Sequence, residues 1–247
     1  GHPSGDLVTA TEIVRYLRKQ GHEVIQASSL RCRWVYWKPW LWPKVLVEQR
    51  RTLRRLIKNK VDLWLTYHTY YKAPDLLGPY ASKIGDTPYV IFQGIYSTKR
   101  RRKLKTLPGF QLNKSALCAA RHVFVNKNVD ALNLKRLIAH ERISYVSPGI
   151  HPDHFDFDRD ARQALRRQWN AGDEPLVFSA AMFRADVKTE GLIWVIRACG
   201  ELLRRGSPLR LVIAGDGKQR ERLKRLAGEQ LGERVTNLIG QSHRPGM

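Results

Sequence analysis

Acidic residues are scarce in this chain: 22 Asp and Glu stand against 44 Lys and Arg in 247 residues, a formal net charge of +22. That imbalance excludes a polycationic partner and points to an anionic one, whether nucleic acid, anionic lipid or an acidic saccharide. Cysteine is scarce too. Cys32, Cys118 and Cys199 are odd in number and far apart, and no pair has metal-ligand spacing. This argues against a disulfide framework or a metal site and for a reduced, cytosolic setting. No apolar run approaches the roughly 20 residues of a membrane-spanning helix. The opening residues lack the charged-then-apolar pattern of a secretory leader. Hydrophobic residues, at 43%, are not lacking, so a folded chain is expected, with room for one large domain or two modest ones.

The charge is unevenly placed. Residues 1–150 hold 27 Lys and Arg against 9 Asp and Glu, and residues 151–247 hold 17 against 13. Within the first part, residues 99–105 read Lys-Arg-Arg-Arg-Lys-Leu-Lys, a basic loop suited to anionic lipid, acceptor phosphates or nucleic acid. Residues 33–44 hold four of the seven Trp, interleaved with Arg and Lys. Among them, Trp37 and Trp40 suit an interfacial anchor or stacking on sugar faces; Pro39, Pro43 and the cations between them favour exposure over a packed cluster.

Strand-like and helix-like patterns alternate along the chain, which predicts α/β architecture with parallel sheets. Asp6 is placed to cap a helix with Leu7, Val8, Ala10, Ile13, Val14 and Leu17 on one face, and Gly21 to stop it. Strands are expected at 22–27, 61–66, 88–92, 122–125 and 143–146, with helices at 44–59, 76–84, 113–120 and 129–139. Residues 147–160, rich in Pro, Gly and Asp, form the expected boundary between a first domain (1–147) and a second (148–247). The second domain gives the clearest signal. A strand at 175–182 leads into a loop bearing Arg184 and Lys188. A helix starting near Thr189, with Leu192, Ile193, Val195, Ile196, Cys199, Leu202 and Leu203 on one face, precedes a strand at 209–214. Gly215-Asp216-Gly217 ends that strand. Strand, crossover helix and strand make a βαβ unit, whose ligands bind at the carboxyl ends of the strands. Cations beside a helix N-terminus there make an anion site, and phosphate is the commonest anion. The first domain opens without a strand and the second ends after a third one, at 234–240, so a fragment of a longer protein is expected.

In order and spacing, five segments resemble the retaining glycosyltransferases of the GT-B type, the group that includes glycogen and sucrose-phosphate synthases and bacterial lipopolysaccharide and phosphoinositol mannosyltransferases. They are a glycine loop at 3–6, an interdomain segment at 146–155, the donor-phosphate loop from Arg184 to Gly191, the Gly-x-Gly turn at 211–217 and the strand at 234–240. The resemblance implies two Rossmann-like domains, the second incomplete. It also implies transfer of a sugar from a nucleotide diphosphate sugar (UDP, GDP or ADP type) to a glycan or lipid-linked acceptor, with retention and without cofactor or metal. The expected setting is the cytoplasm, at the inner membrane face. The sequence departs from the group's pattern in several places. The Glu-x7-Glu motif that holds the donor is not found before Met247, and no strand precedes the glycine loop. The donor loop is one residue longer than usual, and Gln93 stands where a histidine is usual.

On this reading Arg184 and Lys188 neutralise the donor diphosphate and the charge that grows on it as it leaves. Gly5 lets the backbone near Asp6 approach phosphate, and Gly215 and Gly217 turn beneath the nucleotide. His68 and Gln93 are acceptor-side groups, and Gln93, with donor and acceptor atoms but no basic one, binds rather than moves protons. Each has a plainer alternative: a solvated loop, a cap, a structural histidine, a tight turn. A second reading of the whole chain is a nucleic-acid or anionic-membrane binding module without catalysis. It accounts for the charge but not for the donor loop or the Gly-Asp-Gly turn, and makes nucleic acid the lesser partner.

Overall fold

The computed structural model describes residues 5–149 and 155–232, together with the backbone of 235–239. The chain divides into two compact units, residues 1–150 and 151–247. In the first, the elements run α1 (Gly5–Lys19), α2 (Trp42–Lys58), β1 (Trp64–Thr69), α3 (Gly78–Ile84), β2 (Tyr89–Gly94), α4 (Leu107–Ala119), β3 (His122–Val125), α5 (Asn128–Leu134) and β4 (Ile143–Tyr145). In the second they run α6 (Arg159–Gln168), β5 (Leu176–Ala180), α7 (Val187–Arg204), β6 (Arg210–Ala214), α8 (Arg220–Leu231) and β7 (Val235–Ile239).

The first sheet has order β1-β2-β3-β4 and the second β5-β6-β7, with every pairing parallel. Parallel strands are joined by crossovers that put helices on the sheet, so inner strands are buried and read as continuous apolar runs. Ile91, Leu117, Val123, Val125 and Leu134 form the heart of the first core. Phe183, Ile196, Leu211, Ile213 and Leu223 form that of the second.

The segment at 22–27, expected as a strand, is irregular. The sheet ends at β1, and the segment's carbonyls are met by side chains instead: Arg18 donates to Val24 O and Arg55 to Ala27 O. β1 begins at Trp64 rather than near 61, because pairing sets its place; Trp64 lies opposite Tyr89. α4 starts at Leu107, six residues before the expected helix, with Pro108 in its first turn, where no amide is needed. α1 already includes Gly5, so Asp6 lies inside the first turn instead of capping it. Gly21 does end α1: its φ is 87°, and His22 N–H reaches back to Leu17 O. α7 is capped by Asp186 rather than by Thr189, which is buried in its first turn. On its expected inner face, Leu192, Ile196 and Cys199 are buried but Leu202 is exposed. Residues 99–105 are not an open loop; they lie in two 3-10 turns, Thr98–Arg102 and Leu104–Thr106.

Candidate functional site

Chemistry collects at the carboxyl ends of the strands in both units. In the second, β5 and β6 end side by side, and backbone bonds lock their loops together. Ala181 N–H donates to Ala214 O (3.0 Å), Phe183 N–H to Asp216 O (2.9 Å) and Gln219 N–H to Phe183 O (3.1 Å). Phe183 is fully buried and anchors the loop. Gly215 and Gly217 have φ of 153° and 144°, and a Cβ would fall 1.9 Å from Ala181 O and 2.6 Å from Phe183 O. Only glycine allows the two loops to lie this close.

This lock leaves Arg184 and Lys188 exposed, Arg184 in the loop and Lys188 in the first turn of α7. Arg184 touches Met182 Sδ through Nη2 (3.1 Å), and its carbonyl accepts from Thr189 Oγ1. The helix N-terminus is not open in full. Asp186 Oδ1 accepts from Lys188 N–H (2.9 Å), so an internal carboxylate occupies part of the position expected for an anion.

In the first unit, β1 and β2 each reach a residue with left-handed backbone near their ends: His68 at φ 60° and Gln93 at φ 65°. Tyr67 pairs with Phe92 and Thr69 with Gly94, so His68 and Gln93 stand opposite each other. Such a conformation costs a non-glycine residue on the order of 1–3 kcal/mol and collects where function holds it. Asp6 reaches His68 from α1, its Oδ2 3.6 Å from Nδ1. In the neutral tautomer with its proton on Nδ1, toward that carboxylate, His68 has a lone pair on Nε2. Burial lowers the pKa of His68; Lys127 lowers it further, while Asp6 and Asp130 pull the other way. Burial raises the pKa of Asp130, against Lys127 and His68.

His68 Nε2, Gln93 Oε1 and Asn126 Oδ1 are all buried without a hydrogen-bond partner. His68 and Gln93 lie in β1 and β2, and Asn126 directly follows β3, so the three sit at the ends of adjacent strands. Buried polar atoms are nearly always paired, and orphans on three neighbouring strands need a reason. All three are acceptors and call for donors such as hydroxyl groups; an anion would be repelled. Asn126 and the Asp6–His68 pair escape a reading of the sequence. Asn126 has no motif, but its position after the strand 122–125 was the available signal. At Gly5 a Cβ would meet no protein atom within 4 Å, so packing within the chain does not require glycine there. Trp37 and Trp40 are exposed, and neither belongs to this group. The glycine-loop residues Pro3 and Ser4, residues 150–154 of the interdomain segment and residues 234 and 240 flanking the last strand lie outside the described residues.

No protein-family model matches the chain. It is 34% identical over 116 residues to an alpha-D-kanosaminyltransferase of Streptomyces kanamyceticus, covering 46% of this chain and 29% of that protein. It is 34% identical over 87 residues to a GDP-mannose-dependent alpha-(1-6)-phosphatidylinositol monomannoside mannosyltransferase of Mycolicibacterium smegmatis, covering 35% of this chain and 22% of that one. Among solved structures, a glycosyltransferase from Rickettsia africae superposes with a TM-score of 0.62 at 15% identity, over 93% of this chain and 57% of that one. The chain thus spans less than a third of the two curated relatives. In sequence and fold it resembles the GT-B glycosyltransferases, with two Rossmann-like α/β units of that type.

Proposed function

We propose that this chain is part of a retaining hexosyltransferase. It moves a sugar from a nucleotide diphosphate sugar to a glycan or lipid-linked acceptor in the cytoplasm, at the inner membrane face. Residues 148–247 hold the donor and residues 1–147 the acceptor. The observation that carries this reading is the glycine-locked junction of β5 and β6, which leaves Arg184 and Lys188 exposed at the start of α7. Likeness to two sugar transferases, one named for GDP-mannose and a phosphatidylinositol glycan, supports it.

In the reaction, the bond between the anomeric carbon and the diphosphate oxygen breaks and an acceptor hydroxyl oxygen takes its place on the same face. The hydroxyl proton passes to the departing diphosphate, so no side-chain base is required. Arg184 and Lys188 stabilise the charge that develops on the leaving group, where such stabilisation counts most. His68, Gln93 and Asn126 offer acceptors to sugar hydroxyls, and neutral His68 suits that role better than a cation would. Gly5, Asp6, Gly215 and Gly217 shape the surroundings; Trp37 and Trp40 serve the acceptor side.

Thermal shift with UDP, GDP, ADP and their sugars tests the proposal, with a short DNA duplex beside them. The chain should be stabilised by one nucleotide class, and Arg184→Ala should weaken that binding about tenfold or more, as loss of a charge-assisted phosphate contact does. Unchanged nucleotide affinity in the variant would remove Arg184 from the donor site. Stabilisation by DNA alone would favour the binding-module reading, for which the basic run at 99–105 is the specific support.

A further inference from the structure

Two features far apart in sequence meet in the first unit. The Trp-rich segment forms two 3-10 turns, Val35–Trp37 and Pro39–Leu41, that run into α2. The indole N–H of Trp37 donates to Lys105 O (2.9 Å), across 68 residues, and so ties this segment to the basic turns at 98–106. Arg100 lies over the ring of Tyr71 (4.5 Å), and Lys72 over Tyr71 and Trp34, which fixes the base of the assembly. Its outer surface is unusual for solvent. Trp37 is 51% exposed, Trp40 69% and Leu104 84%. Around Leu104, Arg101, Arg102, Lys103 and Lys105 are exposed as well.

We propose that this surface docks on a bilayer containing anionic phospholipid. Trp40 and Leu104 insert at the boundary of headgroups and acyl chains, and the cations of the basic run meet lipid phosphates. Charge complementarity supplies the first argument: the unit is strongly basic, and this run is its densest cluster. Leu104 supplies the second. Single-stranded nucleic acid is bound by cations with flat rings on which bases stack. An aliphatic tip exposed amid a polybasic turn adds nothing to that, whereas at a membrane interface it removes apolar area from water. The indole N–H of Trp37 is already satisfied, so its ring can enter an apolar layer without stranding a donor. The outward side of α2 continues the same chemistry, with Leu46, Val47 and Ile57 exposed among Arg50, Arg51 and Arg54.

This inference depends on the proposed transferase only in giving it a place to meet a lipid-linked acceptor; nucleotide binding is read separately. The test is flotation of the full 247-residue chain with vesicles of phosphatidylcholine alone and of an equal mixture with phosphatidylglycerol. Tryptophan emission is followed in parallel. The chain should float with the mixed vesicles only, with a blue shift. Arg101→Gln and Lys103→Gln should each weaken binding about fivefold, the worth of one cation at a charged surface. Trp40→Ala with Leu104→Ala should weaken it about tenfold or more. These side chains are exposed, so all the variants should keep the parent's melting temperature, and Arg101→Gln and Lys103→Gln its nucleotide response as well. Flotation that survives Trp40→Ala/Leu104→Ala unchanged would overturn the proposal. So would binding to a DNA duplex that resists the same substitutions while mixed vesicles are ignored.

Discussion

At the scale of single residues, the most informative is His68. It is the penultimate residue of β1, in a left-handed conformation, faces Asp6 through one nitrogen and presents the other without a partner. Burial holds its pKa below the ordinary 6.5. Between the folded value and about 6.5, the unfolded chain binds more protons than the folded one, so stability rises with pH across that window. The protein should therefore lose stability as pH falls below about 6.5. His68→Asn, which tolerates left-handed backbone, should flatten that part of the curve. Melting temperatures of parent and variant at about pH 7.5 and about pH 5.5 measure the difference. An equal drop in both would place the acid sensitivity elsewhere.

At the scale of elements, α7 and its cap show a competition. Asp186 fills part of the helix N-terminus with its own carboxylate, two residues from Arg184 and two from Lys188. Asp186→Ala should cost about 1 kcal/mol of stability, the usual worth of an N-cap. It should also leave nucleotide affinity unchanged or raise it, because an amide is freed and a negative charge removed. Loss of nucleotide binding in a folded variant would instead make Asp186 part of the site. The elements themselves were unequally readable in the sequence. Strand 122–125 was placed to the residue, and the βαβ pattern of the second unit was plain, because buried parallel strands bounded by glycine have few other readings. The first six residues of α4 were hidden by Pro108 and Gly109, which punctuate most helices but are harmless in a first turn. Residues 22–27 carry strand-like composition, yet pairing is a property of the neighbour, and among the described residues no strand pairs with them. The same limit applied to the site. His68 and Gln93 stood out individually as residues ending strands. Their register, the approach of Asp6 from α1 and the alignment of Asn126 are tertiary facts with no local pattern.

At the scale of the whole molecule, charge divides as the chain does. The excess of Lys and Arg lies almost wholly in residues 1–150, while the proposed donor cations lie in residues 151–247. Two kinds of anion should therefore answer differently to salt. A polyanion held by the six cations of the basic run should release counterions in proportion to its contacts, giving a log–log salt slope of about −5 for a DNA duplex. A nucleoside diphosphate meeting Arg184 and Lys188 carries no condensed counterion atmosphere and should show a much shallower dependence, from ordinary screening alone. Titrations of both ligands over a range of salt measure the two slopes on one protein. Arg184→Ala should change the nucleotide titration alone, and Arg101→Gln with Lys103→Gln the polyanion titration alone. If both ligands shared a slope and responded to the same substitutions, a single basic surface would bind them. The large positive charge of residues 1–150 would then be the origin of nucleotide affinity as well, and the division of labour between the two units would fall.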